Sequence, residues 1–118
     1  MEFDRFSIAL LVRRPDAPQL DGEAGTAMQE AHMAHLADLH EAGHLLAAGP
    51  LSFGDSSSEL RGLSILNVEP EQARELKEAD PAVRAGLYRV EVLPWLVPKG
   101  AMSFAATRFP RTITEATS

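Results

Sequence analysis

Cysteine is absent from the sequence, and this absence excludes disulfide bonds, thiolate metal sites, iron–sulfur clusters and a cysteine nucleophile. Long apolar runs are absent too, since no stretch approaches the roughly 18 consecutive apolar residues that a membrane-spanning helix needs. Basic residues are scarce: 11 lysines and arginines stand against 17 acidic residues, which gives a formal net charge of -6. Because the basic residues are also scattered along the chain, we expect no binding to the phosphates of nucleic acid.

The rest of the composition is that of a small globular protein. The chain has 118 residues, of which 45% are hydrophobic, and this length predicts one domain with a single core. The N-terminal residues 1–6 carry acidic side chains where a secretory signal carries basic ones. We therefore expect a soluble cytoplasmic protein.

The order of the predicted elements is strand, helix, strand, strand, helix, strand. The strands are predicted at residues 6–14, 45–51, 61–68 and 87–97, and the helices at 26–43 and 70–79. This order is that of the ferredoxin-like βαββαβ fold, an α+β arrangement in which two helices cover one face of a four-stranded antiparallel sheet. The strands carry apolar residues on both sides, so we expect the uncovered face to join a second copy of the chain in a homodimer.

The first predicted helix carries a histidine in the middle of its apolar face. Thr26 is its predicted N-cap and Gly43 its predicted end. With 3.6 residues a turn, one face holds Met28, His32, Leu36, Leu39 and Gly43. A buried imidazole costs free energy unless its nitrogens have partners, so His32 is either satisfied structurally or used chemically. The pattern leaves both alternatives open.

The histidines of this helix also have to be considered as metal ligands. His32 and His35 lie three residues apart, a spacing that places two imidazoles side by side on a helix. No third ligand lies near them in the sequence, so we predict no metal site. His40 and His44 lie near the helix C-terminus, where a cation is favourable next to the helix dipole, and we assign them no function.

Asp80 stands before Pro81, in a dipeptide that ends the second predicted helix. One interpretation is that its carboxylate accepts hydrogen bonds from the amides of the turn. The other is that it points at an imidazole, fixes the tautomer of that ring and raises its basicity. The spacing does not distinguish the two.

Four further residues, Gly49, Pro50, Ser52 and Arg61, are the predicted substrate-binding residues. Gly49 and Pro50 end the second strand, and the serines that follow them could line the mouth of a pocket. The alternative interpretation is ordinary turn chemistry. No phosphate-binding loop, nucleophile elbow or dinucleotide-binding fingerprint is present in the sequence.

Three segments carry a combination of motifs. The first runs from His32 to Leu51 and ends in Ala-Ala-Gly-Pro-Leu, the second is Leu-Arg-Gly-Leu-Ser-Ile-Leu at 60–66, and the third is Glu-Ala-Asp-Pro-Ala-Val-Arg-Ala-Gly-Leu at 78–87. With these segments the chain resembles the YCII-related (YciI-like) family over about residues 6–97. The resemblance implies a ferredoxin-like fold that dimerises into an α/β barrel. It also implies an active-site pair, which by position is His32 and Asp80.

Two features depart from the family pattern. Ala82 follows the Asp-Pro dipeptide where family members often have an aromatic residue, which implies a roomier or differently shaped pocket. Residues 99–118, called the tail below, have no family counterpart. We expect the tail to pack on the body or on the dimer partner, or to be partly disordered. The chain is thus divided into a domain at 1–98 and the tail.

The sequence therefore predicts a small homodimeric enzyme with an acid/base site, in which His32 moves a proton and Asp80 orients it. Dehydrochlorination is an activity associated with the family, so the resemblance implies lyase or isomerase chemistry on a small cyclic or aromatic molecule. This chemistry needs no cofactor. The alternative is a non-catalytic module that binds a small ligand in the same pocket.

Overall fold

Four antiparallel strands form one sheet in the computed structural model, which describes residues 1–52 and 58–117. In chain order the elements are β1 Phe3–Arg13, α1 Gly22–Glu41, β2 Leu45–Pro50, β3 Leu60–Leu66, α2 Pro70–Glu78, α3 Pro81–Arg84, β4 Tyr88–Pro98 and α4 Ile113–Thr117. The strand order is β2-β3-β1-β4, and each neighbouring pair is antiparallel. The predicted ferredoxin-like α+β fold is confirmed. Within the described ranges, no helix is long and apolar enough to cross a membrane.

The central strand β1 alternates between a covered face and an open face of the sheet. Ser7, Ala9 and Leu11 are buried on the covered face, where α2 packs against β1 and β4 and α1 packs against β2. The buried residues that form the core are Ala9, Leu11, Leu39, Leu45, Leu66, Ala73 and Val90. Ser7 and Ala9 are small, so α2 can approach the sheet closely at this point.

The open face of the sheet carries the larger apolar side chains. Phe6 and Ile8 of β1 are only half-buried, and Leu93 and Trp95 of β4 are 49% and 37% exposed. Strand pairing places Phe6 beside Trp95 and Ile8 beside Leu93, so these side chains form a continuous apolar surface. This surface is the one that the sequence predicts to join a second copy of the chain.

The helix α1 begins earlier than its capping pattern predicts. It starts at Gly22, with Asp21 in the N-cap position, so Thr26 lies inside the helix and the predicted N-cap is wrong. Gly25 permits the early start, because a Cβ at that position would lie 2.9 Å from the carbonyl oxygen of Leu20. The capping pattern at Thr26 is a local signal, and it does not reveal the close approach of the Leu20 carbonyl to Gly25.

The predicted end of α1 at Gly43 is confirmed. Gly43 has a φ of +84°, a left-handed conformation that glycine adopts without steric cost. Its N–H donates to the carbonyl oxygen of His40, and the N–H of His44 donates to that of Leu39. These two bonds form a Schellman motif, which satisfies carbonyls that the helix leaves open.

The face that α1 buries differs from the predicted one. The sequence predicts His32 and Leu36 in the middle of the buried face, yet both are only half-buried. The buried residues of the helix are Met33, Ala37 and Leu39, of which only Leu39 belongs to the predicted face. The reason is tertiary: His32 and Leu36 border a cavity, although Leu36 also packs against the core.

The tail packs on the body of the same chain. The rings of Phe104 and Phe6 meet edge to face with centroids 5.9 Å apart. Phe109 stacks on the ring of His40 with centroids 4.0 Å apart. No residue of the tail is buried in the part that the structure describes, 99–117. The tail therefore lies on the surface of the domain, where half-buried Phe109 packs against the core.

Candidate active site

A cavity of about 670 Å³ opens between α1, β2, β3 and the tail. The residues that line it are Leu11, Gln29, His32, Met33, Leu36, Ala48, Gly49, Pro50, Ser52, Arg61, Gly62, Leu63, Ser64, Lys77, Tyr88, Phe109, Pro110, Ile113 and Ala116. Most of these side chains are apolar, and a few polar groups converge among them. Such a cavity is typical of a site for a small molecule.

His32 forms part of the cavity wall and is held from behind by Asp80. Nδ1 of His32 lies 2.6 Å from Oδ2 of Asp80. The side chain of His32 is 17% exposed, whereas that of Asp80 is fully buried. The other carboxylate oxygen of Asp80 accepts a hydrogen bond of 2.9 Å from the amide of Ala82, at the start of α3. Asp80 therefore both caps a short helix and lies within hydrogen-bond distance of an imidazole, and its effect on the basicity of that ring stays a prediction.

The electrostatics of this pair determine which nitrogen of His32 carries the proton. Burial by itself raises the pKa of the Asp80 carboxyl. The hydrogen bond and charge of His32 lower it, as do the Ala82 amide and the charge of Lys77, and the resulting pKa lies below its usual value. Asp80 is then ionised near neutral pH and can only accept, so Nδ1 of His32 donates. Nε2 is left to take up a proton, and no described residue bonds to it.

The four predicted substrate-binding residues all line this cavity. Gly49 and Pro50 form the exposed end of β2. Arg61 donates from Nε to the carbonyl oxygen of Ser58 at 2.8 Å. Ser52 precedes residues 53–57, which lie outside the described residues. The fold thus brings the four residues to one place, and their role in binding substrate stays a prediction.

Two other histidines of α1 are held by backbone carbonyls. Nε2 of His35 donates to the carbonyl oxygen of Leu76 at 3.0 Å. The two ring nitrogens of His40 lie 2.7 Å and 3.0 Å from the carbonyl oxygens of Leu45 and Thr107. His40 thus links the tail to the body near the C-terminus of α1.

The spacing of His32 and His35 does not produce a chelating pair. Nδ1 of His32 bonds to Asp80 and Nε2 of His35 bonds to Leu76, so the two rings are fixed against different elements. In the described part of the chain, no three His, Asp or Glu side chains are grouped so that they could hold a metal ion. The expectation that the chemistry needs neither metal nor cofactor stays a prediction.

Lys77 lines the cavity although no sequence motif points to it. Its side chain is fully buried, and Nζ donates to Oγ of Ser64 at 3.1 Å. Burial lowers the pKa of Lys77, and the nearby charge of Asp80 only partly opposes that effect. The signal that identifies Lys77 is its helical spacing from Ala73 and Asp80, four residues after the first and three before the second. This spacing places Lys77 on the buried row of α2.

The tail, rather than Ala82, shapes the cavity. Ala82 is buried and does not line the cavity, so its direct contribution to the site is the amide that binds Asp80. The tail contributes Phe109, Ile113 and two smaller residues to the lining. These side chains lie in a segment without a periodic apolar pattern, and for this reason sequence reasoning did not identify them as part of a cavity.

Known proteins resemble the chain in sequence and in fold. A sequence model of the YCII-related domain matches residues 8–96. Among solved structures, the chain is similar to the 5-chloro-2-hydroxyhydroquinone dehydrochlorinase TftG of Burkholderia phenoliruptrix AC1100, in complex with 2,5-dihydroxybenzoquinone. The two are 21% identical with a TM-score of 0.56, and the similarity covers 76% of this chain and 92% of the other. No protein with a curated description matches the chain. The family match includes His32 and Asp80 and ends before the tail.

Proposed function

The chain belongs to the YCII-related family, and we propose that it is an enzyme of lyase or isomerase type with His32 as its general base. Asp80 orients this base, and the substrate is a small cyclic or aromatic molecule. The observation that carries the proposal is the contact of 2.6 Å between His32 and Asp80, with the imidazole in the wall of the cavity. The similarity to a dehydrochlorinase of a hydroxyhydroquinone supports the reaction type.

The proposed reaction begins at the unprotonated Nε2 of His32. Nε2 takes a proton from an O–H or C–H bond of the substrate, and the electron pair of that bond stays on the substrate. In a lyase reaction this pair forms a new double bond while a leaving group such as chloride departs with its own bonding pair. In an isomerase reaction the protonated ring returns the proton to a different atom. Between the two steps the carboxylate of Asp80 stabilises the imidazolium.

The variant His32→Gln tests this proposal, because glutamine keeps most of the volume but cannot act as a base near neutral pH. A panel of chlorinated and hydroxylated hydroquinones, including 5-chloro-2-hydroxyhydroquinone, is assayed for chloride release and for the change in ring absorbance. We expect turnover by the wild type and about 10²- to 10⁴-fold slower turnover by the variant. His35→Gln is the matched control, since it changes the same residue type one turn away and should leave turnover unchanged.

The outcome also separates the two functions that the sequence leaves open. If a stable His32→Gln protein turns over substrate at the rate of the wild type, the imidazole has no catalytic role. Binding of the panel without turnover by any variant, the wild type included, would have the same meaning. The chain would then be a non-catalytic module that binds a small ligand in the same cavity.

We also propose that the chain forms a homodimer through the open face of the sheet. Exposed apolar surfaces such as that around Leu93 and Trp95 are typical of interaction sites. Sedimentation velocity at micromolar concentration should give twice the mass of the chain, and a stable monomer would contradict the proposal. The cytoplasmic location stays a prediction.

A further inference from the structure

Lys77 is a charged group of the cavity that has no role in the proposed proton transfer. A lysine ammonium has three N–H donors. Among the described residues only Ser64 accepts from Nζ, and no carboxylate lies within ion-pairing distance of it. A fully buried lysine with so few partners is rare, because burying a charge without compensation is costly. Two of the three donors therefore have no acceptor among the described residues, and Lys77 lies in the wall of the cavity.

The charge of the cavity lining is opposite in sign to that of the whole chain. The chain has a net charge of -6, yet the lining contains the basic side chains of Arg61 and Lys77 and no aspartate or glutamate among its described residues. Asp80 does not belong to the lining, and its two oxygens are occupied by His32 and the Ala82 amide. A concave apolar surface lined with one sign of charge favours ligands of the opposite sign.

We propose that Lys77 binds an ionised oxygen of the ligand, so that the cavity prefers small rings with a phenolate, enolate or carboxylate oxygen over neutral rings. The inference rests on the proposed function, because it takes the cavity to be the substrate site. It adds the charge of the substrate and the residue that recognises this charge. An ammonium next to the oxygen also stabilises the negative charge that develops on the substrate when His32 removes a proton.

The experiment measures binding to the full chain by calorimetry, with two matched pairs of probes at mildly basic pH. In the first pair the ionised probe is 2,5-dihydroxybenzoquinone and the other is its methyl ether, 2,5-dimethoxybenzoquinone. In the second pair the ionised probe is 4-nitrophenol and the other is its methyl ether, 4-nitroanisole. Each ether has the same ring as its partner and cannot ionise. Lys77→Met keeps the length of the side chain and removes its charge. Lys99→Met is the matched control, because Lys99 is the other lysine of the chain, is exposed and is paired with Glu2.

We expect the wild type and Lys99→Met to bind the ionised probe of each pair more tightly than its ether. In Lys77→Met the affinity for the ionised probes should fall about 10- to 100-fold, as for a lost hydrogen bond between charged groups, and the affinity for the ethers should stay the same. Three results would overturn the inference: equal affinity of the wild type for both members of the pairs, no binding of any probe, and a folded Lys77→Met protein that keeps the preference.

A second measurement needs no variant and so covers the case in which Lys77→Met does not fold. In wild-type protein labelled with ¹⁵N-lysine, each ionised probe at saturation should shift the Nζ signal of Lys77 and leave that of Lys99 unchanged. An unchanged Lys77 signal would overturn the inference. Neither measurement uses turnover. If His32→Gln keeps full turnover, His32 has no catalytic role. The preference of the cavity for ionised probes is still tested by the calorimetry and by the Lys77 signal.

Discussion

The cavity has two walls that are built differently. The body wall consists of the lining residues between Leu11 and Tyr88, and it lies within residues 8–96, the segment that matches the family. The tail wall consists of Phe109, Pro110, Ile113 and Ala116, and it lies outside that segment. Every basic side chain of the described lining belongs to the body wall, whereas the tail wall is apolar.

The two walls are also held in place differently. Lys77 of the body wall and Asp80 behind it are fully buried and hydrogen-bonded. The tail is held at the surface, where Arg111 is paired with Asp38 and Glu41, whose side chains are 67% and 62% exposed. Exposed ion pairs contribute only about 0 to 1 kcal/mol each. The comparison indicates that the chemical groups lie in the stable part of the protein and the shape of the cavity depends on a weakly held part. Mutations in the body wall and in the tail wall should therefore have different effects on stability and on ligand binding.

Replacement of Asp80 should have the largest effect, because Asp80 supports the body wall and its chemistry together. Asp80→Ala leaves Lys77 buried without its nearby negative charge and His32 without its partner. Removing a buried hydrogen-bond partner in this way costs about 1 to 3 kcal/mol, and we expect a loss of that size in the free energy of unfolding in urea. The control Asp16→Ala removes an exposed partner of Arg14 and should cost less than about 0.5 kcal/mol.

The pH dependence of stability gives an independent check on Asp80. Its pKa in the folded protein lies below the usual value of 3.8. Ionised Asp80 therefore contributes stability that is fully present above the unfolded pKa and is lost as the pH falls through the folded pKa. The difference in stability between the wild type and Asp80→Ala should narrow below about pH 4. A difference that stays constant into the acid range would contradict the role of the ionised carboxylate.

Replacement of Phe109 should have an intermediate effect that is confined to the tail wall. Phe109→Ala removes an aromatic ring from the cavity and from its stack on His40. We expect about 10-fold weaker binding of 2,5-dihydroxybenzoquinone, measured by calorimetry, with little loss of fold because the residue is only half-buried. Phe104→Ala is the matched control, since Phe104 packs on Phe6 and does not line the cavity. Equal binding by both variants would show that the tail wall does not contact the ligand.

Replacement of His40 should have the smallest effect. Its ring nitrogens lie within hydrogen-bond distance of the carbonyl oxygens of Leu45 and Thr107, and a net bond contributes about 0.5 to 1.5 kcal/mol. We expect amide hydrogen exchange in the tail to be faster in His40→Gln than in the wild type. Equal exchange rates in the two proteins would contradict the link between His40 and the tail.

Much of the fold could be predicted from local patterns. Three local signals depend on the backbone conformation of only a few residues: the alternation along the strands, the helix end at Gly43 and the helix break at Asp80-Pro81. The order of elements that they predict is confirmed. The predicted start of α1 was wrong, because the capping pattern at Thr26 does not reveal that the helix extends back to Gly22. The predicted buried face of α1 was wrong except at Leu39, since an amphipathic pattern does not reveal that His32 and Leu36 border a cavity.

The sequence by itself determined the order of the strands and helices, the family and the two motif residues His32 and Asp80, because each depends on residues close together in the chain. Only the tertiary structure decided that these two side chains lie 2.6 Å apart across 48 positions of sequence. It also decided that Lys77 is buried at the same cavity and that the tail forms its second wall. The physical reason is that local patterns constrain the backbone and its faces, whereas the meeting of side chains depends on how distant elements pack against one another.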